Sequence, residues 1–174
     1  RPIFDENGDF VQPGNDQRNP AAILAFVEDN TTTTRVLGAA SANVNIIEGL
    51  DYKFLVGIDR SEAVRRSAFS EQLNFDDVRG RGGRAFILND YAYSYLLEHT
   101  LTYNRQIDNH TFGILGGFSY QEFDSRFDRI DAQRFRVDDP QLMLNNLSAA
   151  DADNNADAFR AQSGRGIDEL QSYF

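Results

Sequence analysis

From Val36 onward the even positions read Val36, Gly38, Ala40, Ala42, Val44 and Ile46, while the odd ones from Ala39 read Ala39, Ser41, Asn43 and Asn45. One side is apolar and the other small and polar, the period of two that a strand imposes on its faces. After Ile47, Glu48 and Gly49 the alternation resumes with Leu50, Tyr52, Phe54, Val56 and Ile58 against Asp51, Lys53, Leu55, Gly57 and Asp59. If Ile46 pairs with Leu50, the three-residue loop asks for a left-handed residue at its end, which Gly49 supplies. Even positions then meet even positions, and both apolar sets share a face.

A second block repeats the device with another turn. Tyr91, Tyr93, Tyr95, Leu97, His99, Leu101 and Tyr103 alternate with Ala92, Ser94, Leu96, Glu98, Thr100, Thr102 and Asn104. The return run sets Phe112, Ile114, Gly116, Phe118 and Tyr120 against Thr111, Gly113, Leu115, Gly117, Ser119 and Gln121. A two-residue loop at Asp108 and Asn109 pairs odd with even, which again places the aromatic sets together. The closing stretch from Leu170 to Phe174 reads as the start of a further strand.

The pattern predicts an all-β chain of about four long antiparallel strands in two hairpins: a loop over 1–33, hairpin 34–60, loop 61–90, hairpin 91–123, loop 124–169 and a new strand from 170. The loops are rich in Asp, Asn, Arg and Gly and offer no second apolar layer. Runs 36–46, 50–60, 91–103 and 111–123 each reach the ~9 to 11 residues of a tilted membrane-spanning strand, against ~5 to 6 for most soluble strands. Tyr91, Tyr93 and Tyr95 opposite Phe118 and Tyr120, with Tyr103 near Phe112 at the other end, place aromatic rings at both rims, as in outer-membrane barrels. Short turns alternate with long loops in the same manner. Four strands cannot close a barrel, since known ones begin at ~8, so the chain is expected to borrow neighbours.

On this reading Val44, Ile46, Tyr52, Phe54, Tyr93, Leu101, Phe112, Ile114 and Phe118 face lipid, and Glu98, Thr100, Thr102 and Asn104 face a water-filled lumen. The alternative is a soluble β-rich carbohydrate-binding module that uses its Tyr and Phe rings. The formal net charge of −10, from 17 basic and 27 acidic residues, argues against a nucleic-acid partner. No cysteine is present, so neither a disulfide framework nor a thiolate metal site can form. No nucleophile, base and orienting group occur together in a pattern that would support an enzyme.

Smaller features have plainer readings. Asp151, Asp153, Asn155 and Asp157 alternate like calcium-loop ligands, but Ala156 and Gln162 stand where an EF-hand needs Gly and Glu, which favours a solvated acidic loop. Arg79, Arg81 and Arg84 lie among glycines without the Lys-Ser/Thr ending of a phosphate loop, and suit an outer loop touching lipopolysaccharide. His99 and His110 are read as structural. Phe69, Phe75, Phe86, Phe127, Phe135 and Phe159 fall in the predicted loops. Asn19-Pro20 and Asp139-Pro140 announce short helices through about Glu28 and over 141–147.

These residues resemble the SusC/RagA type of TonB-dependent outer-membrane transporter along nearly the whole chain. The resemblance rests on 19–24 (Asn-Pro-Ala-Ala-Ile-Leu), 47–54 around Gly49-Leu50, 96–104 (Leu-Leu-Glu-His-Thr-Leu-Thr-Tyr-Asn), 110–121 and 170–174. It implies a large barrel in the bacterial outer membrane, energised by TonB, lidded by a SusD-like surface lipoprotein and importing oligosaccharides or peptides. The family's plug and TonB box are not among these residues. The resemblance implies no cofactor.

Overall fold

Alternation of side chains along the two hairpins becomes four long strands, and a fifth joins them. In the computed structural model, which describes residues 2–12, 19–75, 78–150 and 158–174, β1 spans Val27–Ile47, β2 Leu50–Phe69, β3 Arg84–Ile107, β4 His110–Gln133 and β5 Phe159–Tyr173. They form one antiparallel sheet in the order β1-β2-β3-β4-β5, so β1 and β5 each have a single neighbour among the described residues. No described helix is long and apolar enough to cross a membrane, a test that does not bear on strands.

The strands outrun the limits that hydrophobic alternation suggested. Residues 27–33, 61–69, 84–90, 124–133 and 159–169, expected as loop, lie in strands, and the described connections shrink to 70–75, 78–83, 134–150 and Ala158. Backbone pairing does not depend on an apolar face, and here charged cross-strand pairs take its place: Arg65 forks Asp29, and Arg84 meets Asp131. Four of the loop phenylalanines, Phe69, Phe86, Phe127 and Phe159, accordingly lie in strands.

By contact density the chain divides into two units. The first comprises the residues up to Thr32, Ala63–Asn89 and Asp128–Ser163. Its core sets Phe135, Met143, Leu144 and Ala150, with Leu147 beside them, on the small side chains of Ala68, Ala85 and Ala132. Three alanines in neighbouring strands leave room for a helix to lie close. That helix, α2, spans Pro140–Asn145 and is started by Asp139, whose carboxylate accepts the Leu142 N–H at 2.9 Å, with Pro140 in the first turn. Asn19 does the same for α1, Pro20–Phe26, accepting from the Ala21 N–H at 3.0 Å. Each helix stops short of its expected end, α1 because the chain enters β1 at Val27 and α2 because a 3₁₀ turn takes over at Leu147.

Polar staples hold the connections of this unit. Asp138 accepts from the Ser70 hydroxyl at 2.6 Å and the Glu71 N–H at 2.8 Å, while Glu71 in turn accepts from the Gly82 N–H at 2.9 Å. Gly82 and Gly83 both adopt left-handed φ, 73° and 75°, and let the run of arginines turn into β3.

The second unit comprises Thr33–Glu62, Asp90–Phe127 and Gly164–Phe174. It holds both tight turns. Ile47 belongs to β1, so only Glu48 and Gly49 lie outside the strands, one residue fewer than expected, and Gly49 takes φ 80°. Odd positions still meet odd ones, as Asn45 donates to Asp51 at 3.0 Å and Arg35 forks Asp59. At the other turn Asp108 takes φ 53°, a conformation aspartate tolerates better than most side chains.

Candidate functional site

Two faces of the second unit carry opposite chemistry. On one, rings run from strand to strand: Phe54 lies 5.1 Å from His99, His99 6.4 Å from Phe118, and Phe118 5.1 Å from Tyr173, centroid to centroid. The Tyr52 hydroxyl meets His99 Nδ1 at 2.5 Å, which gives the half-buried imidazole a structural partner. Tyr52, Phe54, His99 and Phe118 therefore share a face, as the alternation requires.

No described segment of the chain covers the apolar residues of that alternating set. Ile114 is 69% exposed, Phe112 55%, Ile46 54%, Val44 50% and Leu101 43%, and Tyr93 is half-buried among its strand neighbours. Fully burying one such side chain is worth ~1.5 to 3 kcal/mol, so leaving many of them half wet forfeits several kcal/mol unless another phase covers them.

A polar rim borders the same set. Tyr91 and Tyr93 stack at 6.5 Å, with the Arg126 guanidinium 4.7 Å from the Tyr91 centroid and that of Arg60 5.1 Å from Tyr93. Arg60 also pairs with Glu62, which accepts from the Tyr93 hydroxyl at 3.1 Å. Ring body toward the apolar side and polar tip toward charge is what Tyr adopts at an apolar–water boundary.

The opposite face is mostly polar. Glu98, Thr100 and Thr102 are half-buried and Asn104 exposed, at alternate positions of β3. They continue the series of Ala92, Ser94 and Leu96 along the same strand. Ser94 and Leu96, with Leu37, Ser61, Gln121 and Phe123, line a depression of about 780 Å³, in which Gln121 donates to Ser94 at 3.4 Å. The sequence signal was present, since 92, 94 and 96 share the parity of 98–104, but pairing with β4 was needed to bring Gln121 and Phe123 alongside. None of the four predicted lumen residues lines the depression.

In the first unit the charged residues gather around Phe86. The Arg129 guanidinium lies 4.1 Å from its ring centroid and that of Arg65 5.4 Å. Burial opposes ionisation of Asp131, yet hydrogen bonds from Arg129 and Arg84 outweigh it and hold the carboxyl below its usual range. The hydrogen bond from Arg65 likewise lowers the Asp29 carboxyl. No sequence motif marked this cluster, because its members come from four strands.

Phe135 and Phe86 are buried and so cannot present open ring faces, and only Phe75 of the six expected loop phenylalanines stays in a connection outside that core. Arg79 donates to Asn74 at 2.8 Å, and Arg84 opens β3. Asp151, Asp153, Asn155 and Asp157 lie outside the described residues, and among those described no group of three or more His, Cys, Asp or Glu could hold a metal ion.

No family model and no curated protein matches the chain. Solved structures do. A chain of the RagAB peptide transporter superposes with a TM-score of 0.72 at 20% identity, covering 98% of this chain and 20% of that one. A chain of the RagAB peptide importer in the "open-open" state gives 0.71 at 20% identity, with 99% and 19% covered. The likeness is one of fold, and the chain spans about a fifth of the length of those chains.

Proposed function

We propose that this chain is a stretch of wall, with its connecting segments, from a β-barrel importer of the bacterial outer membrane. The observation that supports it above the others is the uncovered apolar face of the second unit, backed by a polar face on the same strands. Exposed patches of that kind are rare on soluble monomers, and hydrocarbon supplies the missing cover. On this reading Val44, Ile46, Tyr52, Phe54, Tyr93, Leu101, Phe112, Ile114 and Phe118 meet lipid, and Glu98, Thr100, Thr102 and Asn104 meet water inside the barrel.

Strand length and edges fit the proposal. β3 and β4 have 24 residues each, so more than a dozen in each lie beyond the ~9 to 11 that cross the hydrocarbon. β1 and β5 each present an edge, and an unpaired backbone group in lipid costs several kcal/mol, so neighbouring strands belong on both sides. The fold likeness to a peptide transporter suggests peptide as cargo, with oligosaccharide the other member of the expected class. Coupling to TonB, a SusD-like lipoprotein lid and contact with lipopolysaccharide complete the proposal.

Single cysteines test it against a chain that contains none. In the whole protein, in outer membranes, cysteines at Thr100 and Thr102 should react with a membrane-impermeant maleimide. Those at Leu101 and Ile114 should resist it and, once labelled with a fluorophore, be quenched by brominated lipid. Equal labelling at all four positions would sink the proposal and favour the soluble carbohydrate-binding reading.

A further inference from the structure

We infer that a cavity of about 590 Å³ in the first unit, lined by Arg84, Arg129, Asp131, Gln133, Arg160 and Gln162, recognises a carboxylate-bearing ligand. The strands already show how such a group is held. Asp131 takes hydrogen bonds from Arg84 Nη2 at 2.7 Å, Arg129 Nε at 2.5 Å and Arg129 Nη2 at 2.8 Å, a carboxylate held by the Arg129 fork and one Arg84 N–H. Contact with the Phe86 ring fixes the plane of Arg129, so little side-chain entropy remains to be lost when a ligand binds.

Donors are left over on the cavity side. Arg129 Nη1 has no acceptor among the described residues, and neither do the exposed Arg160 and Gln162 side chains. Arg129 and Arg160 bring these donors to the same cavity wall. The fixed charge of Asp131 selects within the anions: it repels a dianion such as phosphate more than a single carboxylate, which Arg129 Nη1 and the Arg160 guanidinium are left to bind. This site stands apart from the membrane reading, since it uses no lipid-facing residue.

Arginine-selective modification of the whole folded protein tests it. Phenylglyoxal rates at Arg160 and Arg129, read peptide by peptide by mass spectrometry, are compared at low salt with N-acetylalanine, its neutral amide and inorganic phosphate, with Arg79 as internal reference. N-acetylalanine should slow both cavity arginines and not Arg79, and the amide should do nothing. Arg160→Gln, at an exposed position that leaves the fold intact, should weaken protection at Arg129 by roughly tenfold, the loss expected for one charge-assisted hydrogen bond. Absence of selective protection, protection by phosphate at lower concentration than by the carboxylate, or an Arg160→Gln protein with unchanged affinity would each overturn the assignment. Selective protection in a protein whose cysteine scan shows no alternation would keep this site and remove the importer reading.

Discussion

Ile114 and Leu115 make a matched pair. They are adjacent on β4, both aliphatic, 69% and 55% exposed, and they point to opposite faces of the sheet. In a soluble fold an arginine at either position would sit in water and change stability by less than about 0.5 kcal/mol. In a barrel the two differ sharply. Ile114 lies five residues past Asn109, the last residue of the tight turn. At ~3.3 Å per residue and a tilt near 40° that is about 13 Å above the turn, close to the middle of a ~25 Å apolar band. An arginine there costs about 2 to 4 kcal/mol, whereas one at Leu115 enters the lumen and costs little. Equilibrium guanidinium unfolding of the whole protein, refolded in phospholipid vesicles, measures both variants against the parent. Equal costs for Ile114→Arg and Leu115→Arg, or a larger cost at Leu115, would refute the assignment of faces.

Gly49→Ala should lose about 1 to 2 kcal/mol from the left-handed backbone alone, and more because a Cβ there collides with the Asn104 carbonyl oxygen; an unchanged unfolding midpoint would count against the turn geometry. Met143→Ala, at a side chain 1% exposed in the first unit's core, should cost about 2 to 5 kcal/mol and speed hydrogen exchange in α2, with a loss under about 0.5 kcal/mol arguing that α2 does not pack there. The Asp131 carboxyl is held below its ordinary value of 3.8, so the stability it contributes is complete above that pH and is lost as pH falls through the lower folded value. Hydrogen exchange across β3 and β4 should therefore accelerate with acidification below that point in the parent and lose that component in Asp131→Asn.

What could be read in the sequence was whatever a single strand displays by itself. The two faces of residues 36–60 and 91–123 were legible because apolar and polar side chains alternate there, and the ring contacts from Phe54 to Phe118 follow that parity. Both short helices were legible from an Asn or Asp before a proline, since cap and first turn are local chemistry. The outlying parts of the strands were not. Around Arg65, opposite Asp29, and around Arg129 and Asp131 on β4, charged residues break up the apolar positions and no period of two stands out from loop composition. The same holds for the arginine cavity, whose members lie as far apart as Arg84 and Arg160 and meet only through strand pairing. Phe135 was illegible for another reason: the alanines that receive it, Ala68, Ala85 and Ala132, carry no signal until they are neighbours.

The carbonyl of Gly49 accepts the Asn104 N–H at 2.8 Å, so the short turn of one ribbon is bonded to the flank of the next. A bond at that place has a consequence for biogenesis. On the barrel reading the two ribbons are locked at the end that carries their tight turns, and are expected to insert as one four-stranded plank. A mutation that loosened this latch would slow assembly more than it weakened the finished protein.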